Sequence, residues 1–208
     1  MPKYSKIWDV SLVLKELKSL SPVKFLSLKN LTLKLCMLIC LVIAGRTQSL
    51  HLLTIKDMEK TSKSYVLHYS DLLKQTQPGR NNPVVELKAY PPDRRLCCVT
   101  VFKEYLKRTE FLRKDTSCLF ISYVKPHKPV TSSTLSRWLK IMMCKSGINI
   151  DRYSSHSIRA ASASKAKLSN VPIETILKSV GWSNAKTFAK FYDKQIEPLD
   201  DYQSAILH

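Results

Sequence analysis

Residues 31–45, with the sequence LTLKLCMLICLVIAG, are the most apolar stretch of the chain. A helix with this sequence is hydrophobic on almost every side, so it is stable only when other elements surround it. The stretch is too short to cross a bilayer, and Lys34 and Arg46 bound its most apolar part. We therefore predict a central core helix over Leu31–Gly45, with Arg46 just beyond its end and outside the core.

The rest of the chain predicts further helices and one small sheet around this core. Apolar residues at helical spacing predict amphipathic helices at about residues 9–20, 98–106, 135–143, 156–168, 172–180 and 184–193. Residues Thr131–Ser133 are N-cap candidates for one of them. Residues 50–90 contain runs of β-branched and apolar residues, and the last two runs flank a turn-rich loop at 75–83. The predicted fold is mainly α with a small antiparallel β-sheet (α+β).

The chain carries 34 Lys and Arg against 16 Asp and Glu, a net charge of +18 that is spread along the sequence. Such an excess is typical of a folded surface that binds a polyanion, most often nucleic acid. A basic helical RNA-binding module is a weaker alternative, because no aromatic stacking platform is recognisable. We find no signal peptide or membrane segment, and expect an intracellular protein, nuclear in a eukaryote or otherwise cytoplasmic, without membrane or small-molecule partners.

The six cysteines show no C-x-x-C spacing, and Cys36, Cys40 and Cys144 lie among apolar residues. This pattern indicates small buried hydrophobic residues in a reducing compartment. The five histidines are scattered, and the 16 acidic residues form no convincing metal-binding cluster. We therefore expect neither a metal ion nor a cofactor.

Cleavage of DNA without a metal requires arginines that stabilise the charge on phosphorus, together with a nucleophile and a proton donor. The sequence His156-Ser-Ile-Arg159 meets part of this requirement, because the i, i+3 spacing places imidazole and guanidinium on one helix face. The backbone amides of the same first turn favour an anion. Arg46 supplies a second arginine, and Tyr192 follows Trp182 by ten residues.

With a lysine in the predicted hairpin, these residues follow the order Arg, Lys, His-x-x-Arg, His or Trp, and Tyr. This order resembles the tyrosine recombinase (phage integrase) superfamily over nearly the whole chain, from about Val10 to Gln195. The resemblance implies the catalytic-domain fold of that family and an enzyme that breaks and rejoins DNA in site-specific recombination or integration. The spacing is most similar to that of recombinases from Crypton and DIRS-like eukaryotic mobile elements.

The resemblance also implies a role for each matching residue. Arg46 and Arg159 would hold the non-bridging oxygens of the scissile phosphate and stabilise the pentavalent transition state. Tyr192 would attack phosphorus and form a 3′-phosphotyrosine, and His156 would assist the proton transfer. The energy of the broken bond would be stored in this intermediate, so that rejoining requires neither ATP nor metal.

Two further positions complete the implied set. Lys74 would protonate the departing 5′-oxygen, since it begins the loop between the last two predicted strands, where the family places its lysine. Lys60 and Lys63, on the preceding turn, are alternatives for this role. Trp182 would fill the position that His or Trp holds across the family, with simple core packing as the alternative.

The sequence departs from the family pattern at two places. The acidic residue that members often carry three places after the first arginine is here Ser49. The interval from Trp182 to Tyr192 is one residue longer than in many bacterial members, although it matches the mobile-element branch. Tyr153 and Tyr202 are the competing nucleophiles, and Tyr202 lies in an acidic segment that is unfavourable for meeting DNA.

We expect a single catalytic domain over residues 1–208, with a core at about 10–195 and a C-terminal tail at 196–208. The separate N-terminal domain with which family members clamp DNA is expected to be absent. The tail resembles the segment that members pass to a neighbouring subunit, which implies a dimer or tetramer on double-stranded DNA. Backbone contacts to DNA are assigned to the basic residues Arg80, Lys125, Arg137, Lys140 and Lys165.

Two other functions fit the same residues. Type IB topoisomerases share the chemistry but relax supercoils without exchanging partners. A domesticated or fragmentary DNA-binding protein would keep the fold without cleavage, yet it would have no physical need for a nucleophile opposite two arginines.

Overall fold

The computed structural model describes residues 4–73, 84–181, 186, 188–189 and 192–197. Along this part of the chain, three helices precede a run of three strands and four helices follow it, and two short 3-10 turns lie at Val23–Phe25 and Glu110–Leu112. The elements are β1 (Lys6–Ile7), α1 (Val10–Ser19), α2 (Leu28–Val42), α3 (Thr47–His51), β2 (Leu53–Lys60), β3 (Ser64–Tyr69), β4 (Val85–Lys88), α4 (Cys98–Thr109), α5 (Ser132–Lys145), α6 (Ser157–Leu168), α7 (Ile173–Val180) and β5 (Gln195–Ile196). The predicted class, mainly α with a small antiparallel sheet, is confirmed.

Helix α2 is the centre of the domain, as its sequence predicts. Every residue from Leu31 to Leu41 is buried, and α2 contacts α4, α5 and α6. The Ser27 hydroxyl caps its first turn by accepting a hydrogen bond from the Asn30 amide. The helix ends at Val42, earlier than predicted, because Ala44 adopts a left-handed conformation with φ of 44°.

The three-stranded sheet has the order β2-β3-β4 and is antiparallel throughout, as predicted. Tyr65 pairs with Leu87 and Leu67 with Val85, and all four side chains are buried against the core. The β2–β3 register shifts between Thr54 and Glu59, around Asp57 with its positive φ. The loop between β3 and β4 includes residues 74–83, which lie outside the described part of the chain.

A second sheet joins the first and last described segments of the chain. Strands β1 and β5 pair in parallel, with Lys6 opposite Gln195 and Ile7 opposite Ile196. The Glu197 amide extends the pairing by donating to the Ile7 carbonyl at 2.7 Å. The first residues of the predicted tail therefore dock on their own chain, while residues 198–208 lie outside the described residues and their passage to a neighbour stays a prediction.

Some details differ from the sequence-based expectations. Helix α3 was not predicted. Cys144 was expected to be buried but is exposed, because Met142 and Met143 lie on the buried face of α5 and Cys144 lies on the opposite side. Much of the predicted helix 184–193 lies outside the described residues, although residues 186, 188 and 189 are helical. None of the helices in the described ranges has the length and apolar character needed to cross a membrane.

A buried lysine ties α1 to the core helix. The Lys34 side chain is 0% exposed, and its Nζ donates to the Leu17 carbonyl at 2.7 Å and the Leu20 carbonyl at 2.6 Å. These carbonyls lie at the C-terminal end of α1, where helical hydrogen bonds are missing and a positive charge is favourable. Burial nevertheless lowers the pKa of Lys34 from its ordinary value to about 8.

We expect Lys34 to make stability depend on pH in the alkaline range. Because the folded pKa is about 8 and the ordinary value is 10.5, the unfolded chain binds more protons between these values. Stability contributed by this group therefore rises with pH, by about 2 kcal/mol between pH 7 and pH 10. Urea unfolding of wild type and Lys34→Met at both pH values measures the difference, and equal pH slopes would contradict the assignment.

Candidate active site

The connection between α2 and α3 places Arg46 at the surface of the core. Arg46 is half-buried and has extended backbone angles, so that it ends one turn and begins α3. The Gly45 amide donates to the Cys40 carbonyl at 3.2 Å, which closes the end of α2. A Cβ atom on Gly45 would lie 2.8 Å from Ile43 Cδ1, so only glycine fits without displacing its neighbours. The prediction that Arg46 lies just outside the core is confirmed.

Arg159 joins three segments of the chain. It lies in the first turn of α6 and is only 5% exposed. Its Nη1 donates to the Ala44 carbonyl at 2.7 Å, and its Nη2 donates to the Val180 carbonyl at 2.9 Å. The guanidinium is thus fixed between the end of α2 and the end of α7, in a known orientation.

The charge of Arg159 is maintained despite this burial. Burial and then the nearby positive charge of Arg46 lower the pKa of Arg159 to about 10, while interaction with Tyr192 opposes the shift. A pKa in this range leaves the side chain protonated at neutral pH. Two guanidinium groups close enough to repel each other favour binding of an anion between them, and each can donate to an oxygen of a phosphodiester.

Tyr192 lies beside Arg159. The Arg159 Cζ atom is 5.6 Å from the centre of the Tyr192 ring, and the tyrosine is half-buried. The Tyr192 amide donates to the Phe188 carbonyl at 2.9 Å, and the Tyr192 carbonyl accepts from the Ser164 hydroxyl at 2.8 Å. Since Ser164 and Arg159 belong to the same helix, α6 positions both the arginine and the backbone of the tyrosine.

His156 completes the group. It occupies the N-cap position of α6 and its side chain is exposed, three residues before Arg159. A space of about 180 Å³, which we call the arginine cleft, is lined by Tyr4, Gly45, Arg46, His156, Arg159, Ala160 and Tyr192. Four of the six predicted site residues therefore line one cleft: Arg46, His156, Arg159 and Tyr192.

This group of side chains can promote displacement at phosphorus. Two arginines can stabilise negative charge on the non-bridging oxygens, and a phenol can act as nucleophile when a neighbouring base accepts its proton. An imidazole within the same cleft is suited to that proton transfer. Among the described residues, no group of three or more His, Cys, Asp or Glu side chains is arranged to hold a metal ion.

Lys74 and Trp182 lie outside the described residues, but the residues that precede them border the cleft region. Leu73 and Gly181 line one cavity of about 500 Å³ together with Arg46 and Arg159. That cavity also includes Tyr69, at the end of β3.

The two alternative lysines lie at the other end of the sheet. Lys60 ends β2 and Lys63 precedes β3, and both are exposed. Strand β3 runs from Ser64 to Tyr69, so these ends are separated by about 17 Å at ~3.3 Å per residue. Of the three candidates, only Lys74 follows directly on a residue of the cavity beside Arg46.

Tyr153, a competing nucleophile, is buried rather than open to a substrate. It is 2% exposed, and its hydroxyl donates to the Lys6 carbonyl at 3.3 Å. Burial raises the pKa of Tyr153 to about 12, which disfavours the phenolate. Tyr202 lies outside the described residues.

Four of the five residues assigned to DNA backbone contacts lie in the described part of the chain. Lys125, Arg137 and Lys165 are exposed and Lys140 is half-buried, whereas Arg80 lies outside the described residues. A groove of about 520 Å³ extends from Arg46 to Ser132 at the start of α5. These positions are compatible with backbone contacts, which stay a prediction for each residue.

Sequence reasoning missed Tyr4 and Tyr69 near the site. Tyr4 lines the arginine cleft, and Tyr69 lines the adjoining cavity. Burial raises the pKa of Tyr69 to about 12, so that its hydroxyl stays protonated. Neither residue lies in a motif, and only the fold brings them to the arginines.

A family model described as the phage integrase family matches residues 13–197 of the chain. This match spans most of the sequence and includes both arginines, the histidine and Tyr192. The chain therefore belongs to the phage integrase family, and its fold is that of the tyrosine recombinase catalytic domain. A search of curated protein sequences gives no match.

Solved recombinase structures have the same fold at low sequence identity. XerH site-specific recombinase bound to its difH substrate matches with a TM-score of 0.66 and 16% identity, over 88% of this chain and 48% of that chain. XerA recombinase matches with a TM-score of 0.64 and 16% identity, over 97% and 63%. A lambda integrase dimer bound to a core site matches with a TM-score of 0.57 and 16% identity, over 94% and 50%. The chain thus spans about half the length of the first recombinases it matches.

Proposed function

We propose that this domain breaks and rejoins DNA strands through a covalent 3′-phosphotyrosine intermediate on Tyr192. The observation that carries the proposal is the arrangement of Arg46, His156, Arg159 and Tyr192 around one cleft. These residues come from three separate parts of the sequence, and the fold brings them to one place.

In the proposed reaction, the Tyr192 oxygen attacks phosphorus while its proton passes to His156. A bond forms between the Tyr192 oxygen and phosphorus, and the bond to the 5′-oxygen breaks. Lys74 supplies a proton to that oxygen, and Arg46 and Arg159 stabilise the charge on the non-bridging oxygens. The reverse reaction with a 5′-hydroxyl rejoins a strand, so no external energy source is required.

The finer function that we propose is site-specific recombination or integration, by a recombinase of a mobile element. The interval from Trp182 to Tyr192 supports the Crypton and DIRS-like branch. We also propose that the protein acts on double-stranded DNA as a dimer or tetramer, as the lambda integrase structures on DNA do. In a eukaryote the site of action would be the nucleus.

The test is capture of the covalent intermediate on a pool of labelled nicked duplexes with a randomised core. A nick beside the cleaved bond lets the short leaving strand diffuse away, so the protein–DNA adduct accumulates. We expect a labelled adduct that resists denaturant and forms equally with a chelator present. Trypsin then separates the candidate tyrosines, since Tyr192 falls in peptide 191–194, Tyr153 in 153–159 and Tyr202 in 195–208.

A nucleotide on peptide 191–194 supports the proposal, and a nucleotide on another peptide would assign the nucleophile to the tyrosine of that peptide. Failure to form an adduct on any duplex would favour a DNA-binding protein without cleavage. Chelator sensitivity would contradict the metal-independent reaction. Relaxation of supercoiled plasmid without exchange of strands between two duplexes would indicate a type IB topoisomerase instead.

The proposed role of Lys74 has its own test. We expect Lys74→Met to slow adduct formation by about 10²-fold, the usual contribution of a general acid. A substrate with sulfur at the 5′-bridging position should restore the rate, because a thiolate leaves without protonation. The matched variants Lys60→Met and Lys63→Met should cleave like wild type. Loss of cleavage in either variant, with normal cleavage by Lys74→Met, would reassign the lysine.

A further inference from the structure

Residues 4–8, here called the N-terminal segment, lie along residues 153–157, here called the His156 turn. The Tyr4 hydroxyl accepts a hydrogen bond from the Ser154 amide at 3.2 Å and lies 3.0 Å from the Ser154 hydroxyl oxygen. The Tyr153 hydroxyl donates to the Lys6 carbonyl at 3.3 Å. Both contacts therefore hold the start of the turn.

A third contact fixes the end of the turn that enters α6. The Trp8 indole donates to the Ser157 hydroxyl at 2.9 Å, and the indole is 3% exposed. His156 lies between Ser154 and Ser157, both of which are bonded to the N-terminal segment. The backbone on both sides of His156 is thus held by residues far away in sequence.

The same segment also holds the strand that follows the nucleophile. Ile7 is fully buried and pairs with Ile196, four residues after Tyr192. Arg152, next to the His156 turn, forms an ion pair with Glu197 at 2.7 Å. The N-terminal segment therefore lies between the element that presents His156 and the element that continues from Tyr192.

We propose that Tyr4 is a positioning residue for strand cleavage, acting through its hydrogen bonds to the His156 turn. The inference rests on the proposed function and adds a residue to it. Tyr4 lines the arginine cleft with His156 and Tyr192, yet it precedes residues 13–197, to which the family match extends.

Most of the packing by the N-terminal segment comes from Ile7 and Trp8, which are almost completely buried. Tyr4 is half-buried, and its ring centre lies 5.3 Å from that of Tyr153. Phenylalanine at position 4 preserves this ring contact and removes only the hydroxyl. The substitution Tyr4→Phe therefore separates positioning of the turn from packing of the segment.

The experiment measures single-turnover adduct formation on a nicked duplex that wild type captures. We expect Tyr4→Phe to lower the rate at saturating DNA by about 10-fold, the effect of one or two lost hydrogen bonds. The Kd for the duplex should equal that of wild type, and the Tm should fall by no more than about 5 °C, so that the variant stays folded in the assay. The matched control is Tyr90→Phe, since Tyr90 is 47% exposed and lies outside the arginine cleft.

A double-mutant cycle with Ser154→Ala tests whether the effect passes through this contact. We expect the double variant to lose no more than Tyr4→Phe alone. Additive losses, an unchanged rate in Tyr4→Phe, or a Tyr4→Phe protein that is already partly unfolded at the assay temperature would each overturn the inference. If wild type forms no adduct at all, the proposed function fails and this inference fails with it, whereas a wild-type rate in Tyr4→Phe refutes the inference alone.

Discussion

Substitution of Tyr192 by phenylalanine is expected to abolish the covalent adduct, with a loss of at least about 10⁴-fold, as for other enzymes that lose their nucleophile. The aromatic ring would keep its place 5.6 Å from the Arg159 guanidinium, because the Phe188 carbonyl and the Ser164 hydroxyl hold the Tyr192 backbone. Only the attacking oxygen is removed. DNA binding, measured by fluorescence anisotropy, should be unchanged, and so should the Tm.

Tyr90→Phe again supplies the matched control, because it removes one phenolic hydroxyl from an exposed side chain outside the arginine cleft. A Tyr192→Phe protein that still formed an adduct would place the nucleophile elsewhere. A variant with lost adduct and equally lost DNA binding would show that the tyrosine acts in recognition rather than in bond formation.

The second large effect is expected for Arg159→Lys, which should reduce cleavage by about 10³-fold. A lysine ammonium cannot reach both carbonyls and two phosphate oxygens in the way that a planar guanidinium does. The variant should also be less stable by about 2 kcal/mol, because the Ala44 and Val180 carbonyls lose their Arg159 donors. Urea unfolding and single-turnover cleavage measure the two losses separately.

Arg46→Lys is the informative comparison. Arg46 is half-buried at the start of α3, and a charge-conserving change there should lower cleavage by a similar factor with less effect on unfolding. If Arg159→Lys unfolded more easily but cleaved normally, Arg159 would be a structural residue. If both variants cleaved normally, the two guanidinium groups would have no role in the reaction.

The sequence predicts much of this fold because its strongest patterns depend on local chemistry. The apolar run at 31–45 predicts a surrounded helix, and the hydroxyl residues 153–155 before His156 predict the start of another. Arg46 was placed correctly outside the core, since the run ends beside it. The grouping of both arginines with Tyr192 followed from the resemblance to a family, and no local pattern contained it.

Other features depend on contacts between distant residues, which a single sequence does not show. Strands β1 and β5 have two residues each, too few for an alternating pattern, and they pair across the whole domain. Helix α3 has only five residues, and its apolar positions resemble those of the strand that follows. Tyr4 reaches the site for the same reason, because its neighbour Ser154 is 150 positions away in the sequence.

The way in which Arg159 is held has a consequence for the electrostatics of the phosphate site. Its two terminal nitrogens donate to main-chain oxygens, which are polar but carry no net charge. A carboxylate in their place would orient the side chain equally well, but it would cancel the charge that attracts an anion and would titrate in acid. Orientation by peptide groups preserves the full unit of positive charge and keeps its direction constant wherever the domain remains folded.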